Sequence, residues 1–191
     1  MEKRISELID ESIRIKKLVL EKEAGNIEKA ARAMLSSFGN NCKLLLFGNG
    51  GSAADSQHIA TELVHQFEKK GRKGLPAIAL TTDTSTLTAI GNDWGFGYVF
   101  ERQVEALADE GDVAFGISTS GNSENVCWGL KKAKELGCTT IALLGGNGGK
   151  AKGIADICII VPGEVTARVQ EAHIMIGHIL CSLIEEGIAD D

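Results

Sequence analysis

The sequence predicts an α/β domain of three layers, in which helices cover both faces of a doubly wound, parallel five-stranded sheet. From residue 43 onward, short apolar runs alternate with helical stretches, a pattern that is typical of this class. The apolar runs are continuous rather than alternating, as expected for parallel strands that are buried on both faces. A length of 191 residues suits one domain with a sizeable core, so we predict a single domain over 1–191.

Two helices are predicted ahead of the sheet. Apolar residues recur at helical spacing in 2–23, and Gly25-Asn26 is expected to end this helix. The segment 26–38 carries a second apolar stripe, with the strongest helical periodicity in the chain. The segment 1–40 is therefore predicted to form an N-terminal helical pair, and 43–187 to form the α/β core with its final helix.

The core is predicted to alternate strands with helices. Strands are expected at 43–47, 77–81, 113–117, 139–144 and 157–161. Helices are expected between them, near 52–68, 83–108, 122–136 and 147–154. A long final helix, 165–187, is apolar nearly all round in its second half, which indicates that it is buried. Right-handed crossovers bring the carboxyl ends of parallel strands to one edge of the sheet, where open α/β sheets bind ligands.

Composition argues against several classes of function. The net charge is −6 and no block of five like charges occurs, so neither nucleic acid nor a membrane surface is an expected partner. The most apolar stretch, 174–184, is interrupted by Gly177, His178 and Ser182, and it is too short to span a bilayer. The five cysteines form no closely spaced pair, so free thiols in a reducing cytoplasm are expected.

Two turns rich in Gly and Ser follow predicted strands at the ligand-binding edge. The first contains Gly48-Asn49-Gly50-Gly51-Ser52, and the second is Ser118-Thr119-Ser120-Gly121-Asn122-Ser123. Each opens a helix, so free N–H groups and hydroxyls meet at a helix N-terminus, where an anion is stabilised. The second turn has four hydroxyls and no Lys or Arg, which suits one sugar phosphate better than a triphosphate. A polar loop is the alternative for its serines, and a capping box with Asp55 is the alternative for Ser52.

Two nucleotide-binding motifs are matched only in part. Gly48-x-Gly50-x-x-Ala53 has the dinucleotide spacing, but that fold needs an acidic residue about twenty positions later. Here the second strand ends near Asp83, much further along the chain. The segment 145–150 resembles a P-loop, but Ala151 stands where Ser or Thr must hold magnesium. Both nucleotide signals are therefore weak.

Polar residues on two predicted helices indicate acid–base or metal chemistry. His58, Glu62 and His65 share one face of the helix that the first turn opens. A His–Glu pair could ligate a metal or move protons, whereas a solvated polar face is the alternative, which we prefer for His65. Gln170 and His178 share one stripe of the final helix. A lone His in an apolar helix is usually a core residue. Because Gln170 is a second polar residue on the same stripe, both side chains are expected to reach one polar site, where His178 would be a ligand or a general acid.

At these residues the sequence resembles the sugar isomerase (SIS) domain family and, within it, the isomerases that act on sedoheptulose 7-phosphate. The resemblance covers nearly the whole chain, and its motifs are specific in combination: 48–52, His58 with Glu62, 89–93, 116–123, and 168–173 with His178. It implies the SIS fold and the interconversion of sedoheptulose 7-phosphate and D-glycero-D-manno-heptose 7-phosphate. It further implies the first step toward the activated heptoses of bacterial surface glycans.

The resemblance also implies roles for individual residues. Glu62 is implied as the base and His178 as the acid. One zinc ion per subunit is implied at His58, Glu62, Gln170 and His178. The implied substrate-binding residues are Asn49, Gly50, Gly51, Ser52, Asn92, Asp93, Ser118, Thr119, Ser120, Ser123 and Gln170. A homotetramer with active sites at its subunit interfaces is implied as well.

Two positions depart from the family pattern, and two other functions compete. Ala167 stands where some members have Asp, and Gln66 stands where many have Arg, so polar or charged contacts made there are absent. A tetrameric SIS protein that binds the replication initiator DnaA is one alternative, but it lacks the residues that are Glu62 and His178 here. A sugar-phosphate-sensing module is the other, and it needs neither a base nor an acid.

Overall fold

A computed structural model of the chain describes residues 1–189. Its five strands form one sheet in the order β2-β1-β3-β4-β5, and each neighbouring pair is parallel. The strands are β1 (Leu44–Gly48), β2 (Ala77–Ala79), β3 (Val113–Ser118), β4 (Thr139–Gly145) and β5 (Ile157–Val161). The predicted doubly wound α/β class is confirmed. Because the chain order reverses between β1 and β3, both Gly/Ser turns lie at the switch point where such sheets bind ligands.

Helices cover both faces of the sheet. They are α1 (Glu2–Gly39), α2 (Gly51–Val64), α3 (Thr84–Asp93), α4 (Glu101–Leu107), α5 (Glu124–Glu135) and α6 (Thr166–Ala189). One apolar core joins α1, α2 and α6 to one face, and a second core joins α4 and α5, with α3 at its edge, to the other. On the first face, α6 packs against both α1 and α2, which brings the polar sides of α2 and α6 together. Among the described residues, none of the helices combines the length and apolar character that a bilayer span requires.

The predicted N-terminal helical pair is wrong, because α1 is one continuous helix of 38 residues. Glycine inside a helix costs only about 1 kcal/mol relative to Ala. The stripe on α1 buries Ile15 and Val19 before Gly25, and Ile27 and Met34 after it. Each buried aliphatic side chain contributes about 1.5–3 kcal/mol, so packing against the sheet outweighs the helix-breaking tendency of Gly25-Asn26.

Other predicted boundaries are wrong for local reasons. The helix expected over 83–108 divides into α3, a 3₁₀ turn at Phe96–Tyr98 and α4, because Gly95 adopts a φ of 103° that a continuous helix excludes. The helix expected near 147–154 is a single 3₁₀ turn, Ala151–Gly153. The helix α2 ends at Val64 rather than at residue 68, and β2 ends at Ala79.

Candidate active site

His58, Glu62 and His178 meet where α2 packs against α6. Nε2 of His58 lies 3.2 Å from Oε1 of Glu62, one turn further along α2. The same nitrogen lies 3.0 Å from Nε2 of His178 on α6. Glu62 and His178 are half-buried and His58 is exposed, so a ligand can reach all three. The structure thus brings together the histidine and carboxylate pair of one helix and the histidine of the other.

The donor atoms of this cluster lie close enough together to hold a metal ion. The ligand atoms of His58, Glu62 and His178 all lie within 4.8 Å of one another. Two neutral imidazole nitrogens that face each other can form a hydrogen bond only if one carries the proton, whereas a cation accepts the lone pairs of both. Two histidines and a carboxylate form a known ligand set of catalytic zinc, which keeps a further position open.

The contacts of Gln170 place its amide at the first turn of α2. A Cβ atom added to Gly51 would lie 2.1 Å from Nε2 of Gln170, so a side chain at residue 51 would displace this amide. Gln170 therefore lies over the start of α2, on the same stripe of α6 as His178. Its service as a fourth metal ligand stays a prediction.

The second turn lies at the N-terminus of α5. Its four hydroxyl side chains are called the ring of hydroxyls below: Ser118, Thr119, Ser120 and Ser123. Oγ of Ser118 lies 3.1 Å from Oγ of Ser123, and it accepts a hydrogen bond of 3.1 Å from Gly121 N. Ser123 is the N-cap residue of α5, yet its side chain makes no capping hydrogen bond. Val126 N donates to Asn125 Oδ1 over 2.9 Å, so the N–H groups of Glu124 and Asn125 are those that remain for an anion. Gly121 has a φ of 65° and no room for a Cβ, which would lie 2.0 Å from Gly148 O.

The first turn is joined to the second by a pair of amides. Asn49 Nδ2 donates to Asn125 Oδ1 over 2.9 Å, and Asn125 Nδ2 donates to Asn49 Oδ1 over 2.8 Å. Asn125 is buried, and the sequence does not mark it as a site residue. Its only signal was a poor helix former in the first turn of a helix that continues with apolar residues. Gly50, not Ser52, is the N-cap residue of α2, so the capping-box interpretation of Ser52 with Asp55 is wrong.

A cavity of about 870 Å³ opens beside the ring of hydroxyls. Thr119 and Ser120 line one side of it, and Arg14 and Arg168 line another. The turn itself contains no cation, as the sequence showed, but the fold brings two guanidinium groups to the adjoining cavity from α1 and α6. Glu11 and Glu164 line the same cavity, so the charged groups of its lining balance, and the neutral donors of the turn are the groups offered to an anion at this edge.

The sequence model of the SIS domain family matches residues 7–145, which is most of the chain. The chain belongs to the SIS domain family.

Relatives and solved structures narrow the position of this SIS domain within its family. A phosphoheptose isomerase of Aquifex aeolicus (strain VF5) is 56% identical over 190 residues, which cover 100% of this chain and 99% of the relative. The solved structure of a phosphoheptose isomerase from Neisseria gonorrhoeae superposes with a TM-score of 0.91 at 46% identity, over 97% of this chain and 98% of that one. The corresponding values for a phosphoheptose isomerase from Francisella tularensis are 0.93 and 38%, over 96% and 97%.

Some residues implied by the family resemblance lie away from the cluster in this SIS domain. Asn92 and Asp93 are exposed at the end of α3, where Asn92 Nδ2 donates to Asp93 Oδ1 over 2.7 Å. The helix α3 packs on the sheet face opposite to α2 and α6. A single chain therefore does not bring these two residues to Glu62 and His178.

One of the two departures from the family pattern, Gln66, makes a local contact in this SIS domain. Gln66 Oε1 accepts a hydrogen bond of 3.2 Å from Gly71 N, so this side chain stabilises the loop that follows α2. Ala167 is exposed in the first turn of α6.

Two further titratable groups were not selected from the sequence as site residues. Burial raises the pKa of Asp55, one turn before His58 on α2, to about 6, although the neighbouring His58 lowers it; one carboxylate oxygen is buried without a hydrogen-bond partner. Burial lowers the pKa of His173 to about 4. His173 is therefore neutral, and its Nε2 donates to Leu144 O over 3.0 Å. It attaches α6 to the end of β4, beside the second turn.

Proposed function

We propose that this chain is an aldose–ketose isomerase that interconverts sedoheptulose 7-phosphate and D-glycero-D-manno-heptose 7-phosphate. The observation that carries the proposal is the meeting of Glu62 and His178 from separate helices, at the sheet edge that also carries a ring of hydroxyls. The full-length similarity to phosphoheptose isomerases supports the choice of substrate. A sensing module would have no need of the base and the acid that this site provides.

The reaction moves a proton between two adjacent carbons through an enediol or enediolate. It needs a base that reaches both carbons, and a group that stabilises charge on the two oxygens. Glu62 takes the proton from one carbon and returns it to the other, while His178 donates to the oxygens. Ser118, Thr119, Ser120, Ser123 and the N-terminus of α5 hold the distant phosphate. Binding energy from the phosphate thereby places the reacting carbons at Glu62.

We further propose one zinc ion per chain, held by His58, Glu62 and His178 with Gln170 as a fourth ligand. When bound there, zinc would supply Lewis acidity to the substrate oxygens in place of the proton from His178, whose ring nitrogen would then be a metal ligand. The three clustered side chains fit this ion by type and by separation. The fit of Gln170 rests on its place on the stripe of α6 that also carries His178.

Metal analysis of protein purified without an affinity tag tests the zinc site. We expect about one equivalent of zinc per chain, since His₂Glu is a zinc ligand set. His58→Ala should weaken zinc binding by at least about tenfold, because even the supporting partners of metal ligands contribute that much. His65→Ala, an exposed histidine of the same helix, is the matched control. Full activity in chelator with less than about 0.1 equivalent of metal would reject the site.

Calorimetry with single serine variants tests the phosphate loop. Ser120→Ala and Ser123→Ala should each weaken binding of sedoheptulose 7-phosphate by on the order of 1 kcal/mol or more, because each removes a hydrogen bond to a charged group. Binding of phosphate-free sedoheptulose should hardly change. Ser36→Ala, at an exposed serine of α1, controls for the substitution itself. Equal losses for both ligands would show that the loop only maintains structure.

We also propose a homotetramer in which subunits complete each other's sites. Ile5, Ile9 and Ile13 are 57%, 54% and 46% exposed on α1, and exposed apolar patches of this kind mark interfaces. A second apolar surface carries Trp94, Phe96 and Tyr98 directly after Asn92 and Asp93. Burial of that surface on a neighbouring chain would carry Asn92 and Asp93 to the neighbour's cluster, which a single chain does not achieve.

The cellular role follows from the proposed reaction. The product is the precursor of activated heptoses for bacterial surface glycans, so we place the enzyme at the first step of that route. We place it in the cytoplasm, which is supported by the five cysteines, all of them free thiols, since a reducing compartment keeps thiols unpaired.

A further inference from the structure

The carboxylate of Glu185 lies seven residues beyond His178 on α6 and is fully engaged by the loop that follows α2. Its side chain is 1% exposed. Oε1 accepts hydrogen bonds from Phe67 N over 2.8 Å and from Arg72 Nε over 2.5 Å. Oε2 accepts from Glu68 N over 2.7 Å and from Lys69 N over 2.8 Å. Four donors on one buried carboxylate tie the loop 65–72 to α6.

The hydrogen bonds to Glu185 hold the pKa of its carboxyl below the usual range. Burial acts to raise its pKa, but the backbone hydrogen bonds and the Arg72 guanidinium outweigh burial and bring the pKa to about 2. The loop contacts that depend on this negative charge are therefore constant above that pH.

Arg72, which donates to Glu185, also donates to two backbone carbonyls of α2. Its Nη1 donates to Leu63 O over 2.7 Å, and its Nη2 donates to Glu62 O over 2.5 Å. The last four carbonyls of a helix have no partner within the helix, and a cation there also interacts favourably with the helix dipole. Arg72 thus fixes the final turn of α2, which is the turn that positions Glu62.

Phe67 carries the connection to His178. The two rings are stacked, with centroids 5.4 Å apart and an interplanar angle of 17°. The Nε2 edge of His178 meets His58, at 4.9 Å between centroids and 61° between planes. The His178 ring therefore contacts both Phe67 and His58, and the backbone N–H of Phe67 is one of the donors that Glu185 binds.

We propose that Glu185 is a positioning residue for isomerisation, which acts on His178 through Phe67 and on Glu62 through Arg72. This inference rests on the proposed function, since it names the residues that orient its base and its acid. Glu185 does not belong to the ring of hydroxyls that binds the phosphate. Its loss should therefore impair the chemical step and leave ground-state binding of the phosphate nearly unchanged.

Steady-state kinetics of Glu185→Gln, with Glu186→Gln as matched control, tests the proposal. The side chain of Glu186 is exposed on the same helix. For Glu185→Gln we expect kcat to fall by at least about tenfold, as misplacement by a fraction of an ångström produces. KM for sedoheptulose 7-phosphate should change by less than about twofold, which marks an interaction that matters in the transition state. Glu186→Gln should match the wild type.

Phe67→Leu decides the case if Glu185→Gln does not fold, because it removes only the ring and keeps the backbone N–H. A fall in kcat at constant KM, with an unchanged melting temperature, would support positioning. Wild-type kcat in Phe67→Leu, or in a folded Glu185→Gln, would overturn it, as would equal changes in kcat and KM. These outcomes require an active wild type. A wild type that does not convert sedoheptulose 7-phosphate would instead overturn the proposed function.

Discussion

Replacement of Glu62 by Gln is expected to slow isomerisation by at least ~10²-fold, the lower end of what a general base contributes. Gln has the same shape and keeps an oxygen toward His58, but it cannot take a proton from carbon. Turnover of sedoheptulose 7-phosphate is the measurement. Because Glu62 is also a proposed zinc ligand, the metal content of the same sample must be determined.

To isolate the role of the base, the turnover of a Glu62→Gln sample that retains its zinc is compared with the turnover of Glu186→Gln. The second variant removes a carboxylate charge from an exposed position of α6 without touching the cluster. Near wild-type turnover by Glu62→Gln would contradict the assignment of the base. A loss of activity that added zinc restores in full would assign Glu62 to the metal alone.

The double substitution Ile9→Lys with Ile13→Lys is expected to dissociate the oligomer and to lower activity with it. Burial of one Ile side chain contributes about 1.5–3 kcal/mol, and a closed symmetric assembly repeats every lost contact and every added charge. Light scattering and turnover are measured on the same samples over a range of concentrations. We expect monomers that have lost most of their activity, because Asn92 and Asp93 then have no neighbouring site to complete.

Glu21→Lys controls for added positive charge, since Glu21 is an exposed residue of the same helix. It should leave both assembly and turnover unchanged. A fully active monomer in the double variant would show that one chain contains the complete site and that the shared-site proposal is wrong.

The sheet could be predicted because burial on both faces leaves a strong mark in the sequence. Continuous apolar runs such as 113–117 have few alternatives to a central parallel strand. The end of a helix is a weaker signal, as Gly25 shows: its local preference is smaller than the packing energy of the stripe that passes through it. The length of that stripe was visible in the sequence, but its continuity depended on the sheet beneath it.

The candidate site likewise contains residues that could be predicted from the sequence and residues that could not. His58 and Glu62 could be paired because one turn of helix separates them, and Gln170 indicated that His178 had a polar destination. Asn125 and Glu185 could not be found in this way. Asn125 meets Asn49 across 76 positions, and Glu185 meets Phe67 across 118. Only the folded topology makes such residues neighbours, so neither spacing nor composition announces them.

The length of α1 predicts that contacts in the proposed assembly order part of this protein. A helix of 38 residues measures about 57 Å at 1.5 Å per residue, whereas a compact chain of this size has a radius of gyration of only about 16 Å. No side chain before Ile15 is buried, and short helical segments are marginal in water without packing. The opening turns of α1 should therefore fray in a dilute, separated subunit and become ordered as partners bind. The free energy of association would then include part of the free energy of folding of each chain. The affinity between subunits would therefore depend more strongly on temperature than the affinity of two rigid bodies.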